Sequence, residues 1–229
     1  MPDMSAVMKL LQFTDSTFPV GTFSFSNGLE TASFEHIVHD AQTLGEFAEA
    51  QALQAAFSDG VAALASYRAA LNGNLDGILA ADKALMDFKM NDEARQMLSR
   101  MGKKLAELAV RLFPESLAGA WLDKIVAGET PGSYPVAQGI AFAAAGISER
   151  DLFCSHQYGV VNMVLGAALR CVRVSHYDTQ EILFRMSDRI SGLYEEVAEM
   201  ELDDMHAFFP ILDILASLHE KGNMRMFMN

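Results

Sequence analysis

Apolar residues recur at three- and four-residue spacing along most of the chain, and no convincing run alternates apolar and polar positions with β-branched enrichment. That pattern predicts an all-α fold. From Leu44 to Leu71 the positions Leu44, Phe47, Phe57, Val61, Leu64 and Leu71 sit on an Ala-rich background, which favours helix and permits close helix approach, so one long core helix is predicted there. Asn72, Gly73, Asn74 and Gly77 break it, and Ile78, Leu79, Leu85 and Phe88 mark a second amphipathic segment. Asn91 suits the N-cap of a third, whose apolar stripe Met97, Leu98, Met101, Leu105, Leu108 and Leu112 ends at Pro114. The opposite face of that helix carries Arg95, Arg100, Lys103, Lys104 and Arg111.

Two Pro and two Gly between Gly128 and Pro135 predict a loop, followed by a short apolar helix from Val136 to Ala145 in which Gly139 signals tight packing. Ser148 with Asp151 predicts the start of a helix through Leu169, and Asp178 with Glu181 the start of another. The latter is expected to run on into Glu195 to Asp204, where six acids and no base give a strongly negative surface. Pro210 suits the first turn of a last helix to Leu218, after which Gly222 releases a tail. No internal repeat, low-complexity linker or composition break is evident, so residues 1–229 are expected to form a single-domain helical bundle of about nine or ten helices with a flexible C-terminal tail, 222–229.

Composition narrows the function classes. With 229 residues, 51% of them hydrophobic, the chain can bury a sizeable core, which excludes wholesale disorder. A formal charge of −13 is the wrong sign for a protein that neutralises phosphates, so no nucleic acid is expected as partner. The longest apolar stretches fall short of the ~20 residues that cross a bilayer, so no membrane is expected either. Only Cys154 and Cys171 are present, and no secretory leader is recognisable, which reads as a cytoplasmic protein with free thiols.

Catalytic signals are sparse. Cys154 and His156 are the nearest nucleophile and base, but two residues apart on a helix they point to different faces. His36 and His39 have a spacing that places two imidazoles on one helical face or at a solvated helix end, and no third or fourth metal ligand accompanies them. His206, among Asp203, Asp204 and Met205, reads as part of a solvated charged face. Gly102-Lys103 lacks the earlier Gly and the following Ser or Thr of a phosphate loop. The closing Met224, Met226 and Met228 form an adaptable strip suited to a partner more than to a metal.

One segment escapes helix periodicity. From Phe18 to Glu30, Pro19 and Gly21 enforce a turn while aromatics alternate with serines, either a buried loop that caps the next helix or a surface that a partner reads. Its residues Asp15-Ser16, Phe18-Pro19-Val20-Gly21, Phe23-Ser24, Ser26 and Gly28-Leu29-Glu30 resemble the N-terminal signature of the urease accessory protein UreF family. Glu93-Ala94-Arg95, Met101 to Leu105, Gly132 to Gly139, Ala145-Gly146-Ile147, Pro210 to Ile214, His219-Glu220 and Arg225 to Asn229 are similar to later blocks of that family, in order. The chain departs from the family pattern at Val174 to Gln180 and at Asn223-Met224.

The resemblance implies an all-α homodimer without catalysis of its own, in complex with a UreD (UreH) protein and the GTPase UreG during nickel loading of apo-urease. Nickel and GTP would then be handled by the partners, with no cofactor or metal held by this chain. The partner-binding residues it implies are Pro19, Gly21, Phe23, Ser24, Ser26, Gly28, Glu30, Gln138, His219, Glu220, Arg225 and Phe227. Among these, Gly21 and Gly28 read as backbone requirements, Phe23 and Phe227 as apolar contacts, and Arg225 as a charge-assisted one. The competing reading is a helical enzyme or metal-binding protein using Cys154 and His156, or His36 and His39.

Overall fold

The computed structural model describes residues 4–15, 17–21, 24–206, 209–219 and 226–227. Among them are only helices and their connections: α1 (Met4–Thr14), α2 (Leu29–Phe34), α3 (Ala41–Ala55), α4 (Val61–Leu71), α5 (Leu75–Phe88), α6 (Asp92–Leu112), α7 (Ala118–Val126), α8 (Tyr134–Ala145), α9 (Glu149–Cys171), α10 (His176–Val197) and α11 (Pro210–His219). The fold is all-α. A π turn, Ala56–Gly60, joins α3 to α4, so the long helix expected over Leu44 to Leu71 is a continuous rod with one wide turn in it.

Local chemistry places the ends. Asp40 accepts from the Thr43 amide at 2.9 Å while the Thr43 hydroxyl accepts from the Asp40 amide, a reciprocal cap that starts α3. Asn91 accepts from Ala94 N and Ser148 from Asp151 N, as their positions predict. The tenth helix begins earlier than expected. Its N-cap is Ser175, with Asp178 serving as the reciprocal third residue, and it stops at Val197 before a 3₁₀ turn, Leu202–Asp204, so the acidic run is not one continuous helix.

The centre is α8, buried on nearly every side and packed against α4, α6 and α9. Glycine makes that possible. A Cβ on Gly139 would lie 1.9 Å from Ser66 Oγ and 2.6 Å from the Ala63 carbonyl oxygen, so the α4 and α8 backbones touch. Gly102 of α6 has the same role against the loop that enters α8, where its Cβ would come within 2.0 Å of the Gly132 oxygen. Fully buried Asp82 holds that loop, accepting from Thr130 Oγ1 at 2.6 Å and from the amides of Gly132 and Ser133 at 2.8 Å. Helix α9 is the one helix among the described residues long and apolar enough to cross a membrane, yet 56% of that stretch is buried in the bundle.

Replacing Gly102 with Ala forces backbone apart and is expected to cost at least about 1–3 kcal/mol, read as a lowered melting temperature. Gly119→Ala in α7, where nothing lies within 4 Å, should leave that temperature unchanged or raise it slightly.

Candidate functional site

The Pro19–Glu30 segment is half core and half surface. Phe18, Val20, Phe25 and Ser26 are buried, Ser24 is half-buried, and Pro19 is exposed. Gly21 and Gly28 sit at φ 86° and 82°, in the left-handed region that disfavours a side chain. Gly28 is also pressed against α11, where a Cβ would be 3.3 Å from the Ala216 amide nitrogen. At the other end, Gly21 and Ser24 border a shallow groove with Arg100, Lys103 and Lys104 of the basic face of α6. The N-terminal motif therefore lies between the basic helix and the last helix.

Glu30, in the first turn of α2, enters a chain of charge-assisted contacts. His219 Nε2 lies 2.9 Å from Glu30 Oε2, and His219 Nδ1 lies 3.0 Å from Glu93 Oε2. The ring is 3% exposed and the carboxylates 14% and 8%, so three ionisable groups from α2, α6 and α11 are withdrawn from water together. Burying such groups is costly unless each meets a partner. Glu30 also accepts the amides of Met226 at 2.8 Å and Phe227 at 3.2 Å. Phe227 is buried, with the Arg170 guanidinium of α9 4.0 Å above its ring.

The candidates thus separate. Glu30, Gly28, His219 and Phe227 converge on one site at the α2–α11 junction, and Gly21 and Ser24 lie on the neighbouring basic groove. Phe23, Glu220 and Arg225 lie outside the described residues, as does most of the tail. Gln138 is elsewhere. Its Oε1 meets His156 Nδ1 at 2.8 Å inside the bundle and its Nε2 donates to Tyr134 Oη, so this side chain, like those of Ser26 and His219, is internal, not a surface contact. The reason is sequence separation: Gln138 meets His156 on α9 and His219 meets carboxylates on α2 and α6. Phe227 likewise anchors the tail on the chain's own body.

Glu93 is the residue that sequence reasoning missed. It stands four residues before Met97, on the apolar stripe of α6, and a carboxylate at such a position signals a buried partner. The competing catalytic pairs do not assemble. Cys154 is exposed on α9, while His156 is buried at Gln138. His36 and His39 occupy the exposed turn after α2, not a helical face, and among the described residues no three His, Cys, Asp or Glu side chains group to hold a metal.

The UreF family model matches residues 38–187. Over 226 residues the chain is 47% identical to urease accessory protein UreF 2 of Brucella canis, covering 99% of this chain and 93% of that one. The chain belongs to the UreF family. Urease accessory protein UreF 1 of Brucella melitensis is 46% identical over 99% of this chain and 94% of its own length, and urease accessory protein UreF of Yersinia pseudotuberculosis is 43% identical over 98% and 99%. These UreF relatives extend the likeness beyond the matched central block to the N-terminal motif and α11, the two segments that Glu30 and His219 join.

His219→Phe leaves two buried carboxylates facing an apolar ring. Urea denaturation is expected to show a loss of about 3–5 kcal/mol, and a smaller loss for the Glu30→Gln/Glu93→Gln double variant with His219 retained.

Proposed function

We propose that this chain is a non-catalytic adaptor that bridges a UreD (UreH)-like protein and the GTPase UreG while nickel is inserted into apo-urease, and that it works as a cytoplasmic homodimer. It holds no cofactor or metal itself; nickel and GTP belong to the partners. The observation that carries this reading, beside family membership, is exposed apolar surface in two separate places. Met4, Val7, Met8 and Leu11 follow one another at helical spacing along α1, and all four are exposed. Such a stripe suits the groove of another chain, and methionine adapts readily to it.

The second place is α10, where Tyr177 and Phe184 are 83% and 82% exposed beside the half-buried Leu183. Tyr177 falls in the block that departs from the family pattern, which favours a partner surface particular to this chain. In this reading the tail, 222–229, leaves the seat that Phe227 has on Glu30 and Arg170 to reach a partner. Phe23, Glu220 and Arg225 are assigned to that exchange. The basic groove at Arg100, Lys103 and Lys104 supports an acidic partner surface next to it.

Co-expression with a cognate UreD and UreG, followed by size exclusion with light scattering, is expected to give one co-eluting complex. The Met8→Glu/Leu11→Glu variant should keep its helicity and lose capture of at least one partner by about tenfold or more. Full capture by that variant, or a folded wild-type chain that elutes alone, would overturn the adaptor reading.

A further inference from the structure

The interior contains a polar site that the adaptor reading does not use. A cavity of about 100 Å³ lies between the π turn, α6, α9 and α11, walled by Met97, Met101, Val160 and Met163 and reached by Asp59, Lys89, Tyr134 and His156. The π turn is what brings Asp59 there. Both Ser58 and Asp59 are buried within it, and a wide turn inside an otherwise regular rod is a frequent mark of a functional position.

His156 supplies the decisive observation. Only 4% of the residue is exposed, its Nδ1 is engaged by Gln138 Oε1, and its Nε2 has no hydrogen-bond partner. With the Gln138 amide placed so that Nε2 donates to Tyr134 Oη and Oε1 faces the ring, Nδ1 carries the hydrogen and Nε2 an open lone pair. Burial holds the imidazole pKa down to about 4, against the pull of Asp59, so the ring is neutral. An acceptor buried without a donor is unfavourable, and an occupant that donates to it relieves that cost.

Neighbouring groups define that occupant. Burial raises the Tyr134 pKa, so the phenol keeps its hydrogen, and that hydroxyl receives a bond from Gln138 while its own hydrogen has no acceptor among the described residues. The Lys89 ammonium pairs with Asp59, which also accepts from Ser58 Oγ at 2.8 Å. The two charges cancel, and a cation already seated on the carboxylate disfavours a metal ion. Elsewhere on the lining Asn27 pairs with Gln51, Asn91 with Asp213, and Gln54 accepts from the Phe209 amide, so what remains at the His156 end is one acceptor and one donor.

We propose that this cavity binds a small neutral organic molecule whose polar head both donates and accepts a hydrogen bond, an alcohol or primary amide on a short apolar body. On a scale where a cavity of about 150 Å³ takes benzene, a volume of about 100 Å³ suits an organic molecule smaller than benzene. The head donates to His156 Nε2 and accepts from Tyr134 or Lys89, and the body lies among the three methionines. This site is independent of partner capture.

The test uses the full chain with methyl-labelled methionine and isobutanol as probe, set against its isomer methyl isopropyl ether, which has the same atoms but no donor. The methyl signals of Met97, Met101 and Met163 are expected to shift saturably with isobutanol at about millimolar concentration, and the ether to bind at least about tenfold more weakly. In His156→Phe the two isomers should bind alike. Equal binding of both by the wild-type chain would reduce the cavity to an apolar void, and shifts that never saturate would mean it holds water only; either result overturns the proposal even where the variant fails to fold.

Discussion

Two carboxylates that share one imidazole away from water set the arrangement of everything around them. Glu30, His219 and Glu93 come from α2, α11 and α6, and the imidazole cannot be withdrawn from between the two carboxylates without removing a partner that both buried charges share. That constraint draws the N-terminal motif onto the last helix, where Gly28 is the residue that lets the two backbones meet. It also fixes the Glu30 oxygens that accept the tail amides. The N-terminal motif and residues 226–227, beyond the last helix, are thereby made parts of one structure.

The bundle beneath supplies a rigid base. Gly139 lets α8 touch α4, Gly102 lets the entry loop of α8 touch α6, and Asp82 holds that loop through three hydrogen bonds. With its centre so closely packed, the molecule keeps exposed apolar surface at the margins, on α1, α10 and α11 among others. The Asp59 and His156 cavity is the exception, a polar opening produced by the wide turn between α3 and α4.

Much of this was legible in the chain, for identifiable reasons. Helices with a start signal, the caps Asn91 and Ser148 and the first-turn Pro210, stand where the sequence pattern places them. Helix α1 was not foreseen because its apolar stripe faces outward and the motif after it drew attention to a loop. The π turn was invisible because a single wide turn shifts the register without breaking the run of apolar residues. At the site, glycine positions spoke clearly, since positive φ has few residue solutions. Gln138, Glu93 and His219 did not, because the partners of a buried polar side chain lie 18 and 126 residues away and only the fold brings them together.

The coupling of the tail to the buried imidazole is best tested by amide hydrogen exchange at Met226 and Phe227, wild type against His219→Gln, with α8 amides as the internal reference. If His219 fixes Glu30 as described, both tail amides exchange at least about tenfold faster in the variant while the α8 amides keep their protection. Tail amides as protected in the variant as in the wild type would contradict it, and would mean that Glu30 holds the tail without the imidazole.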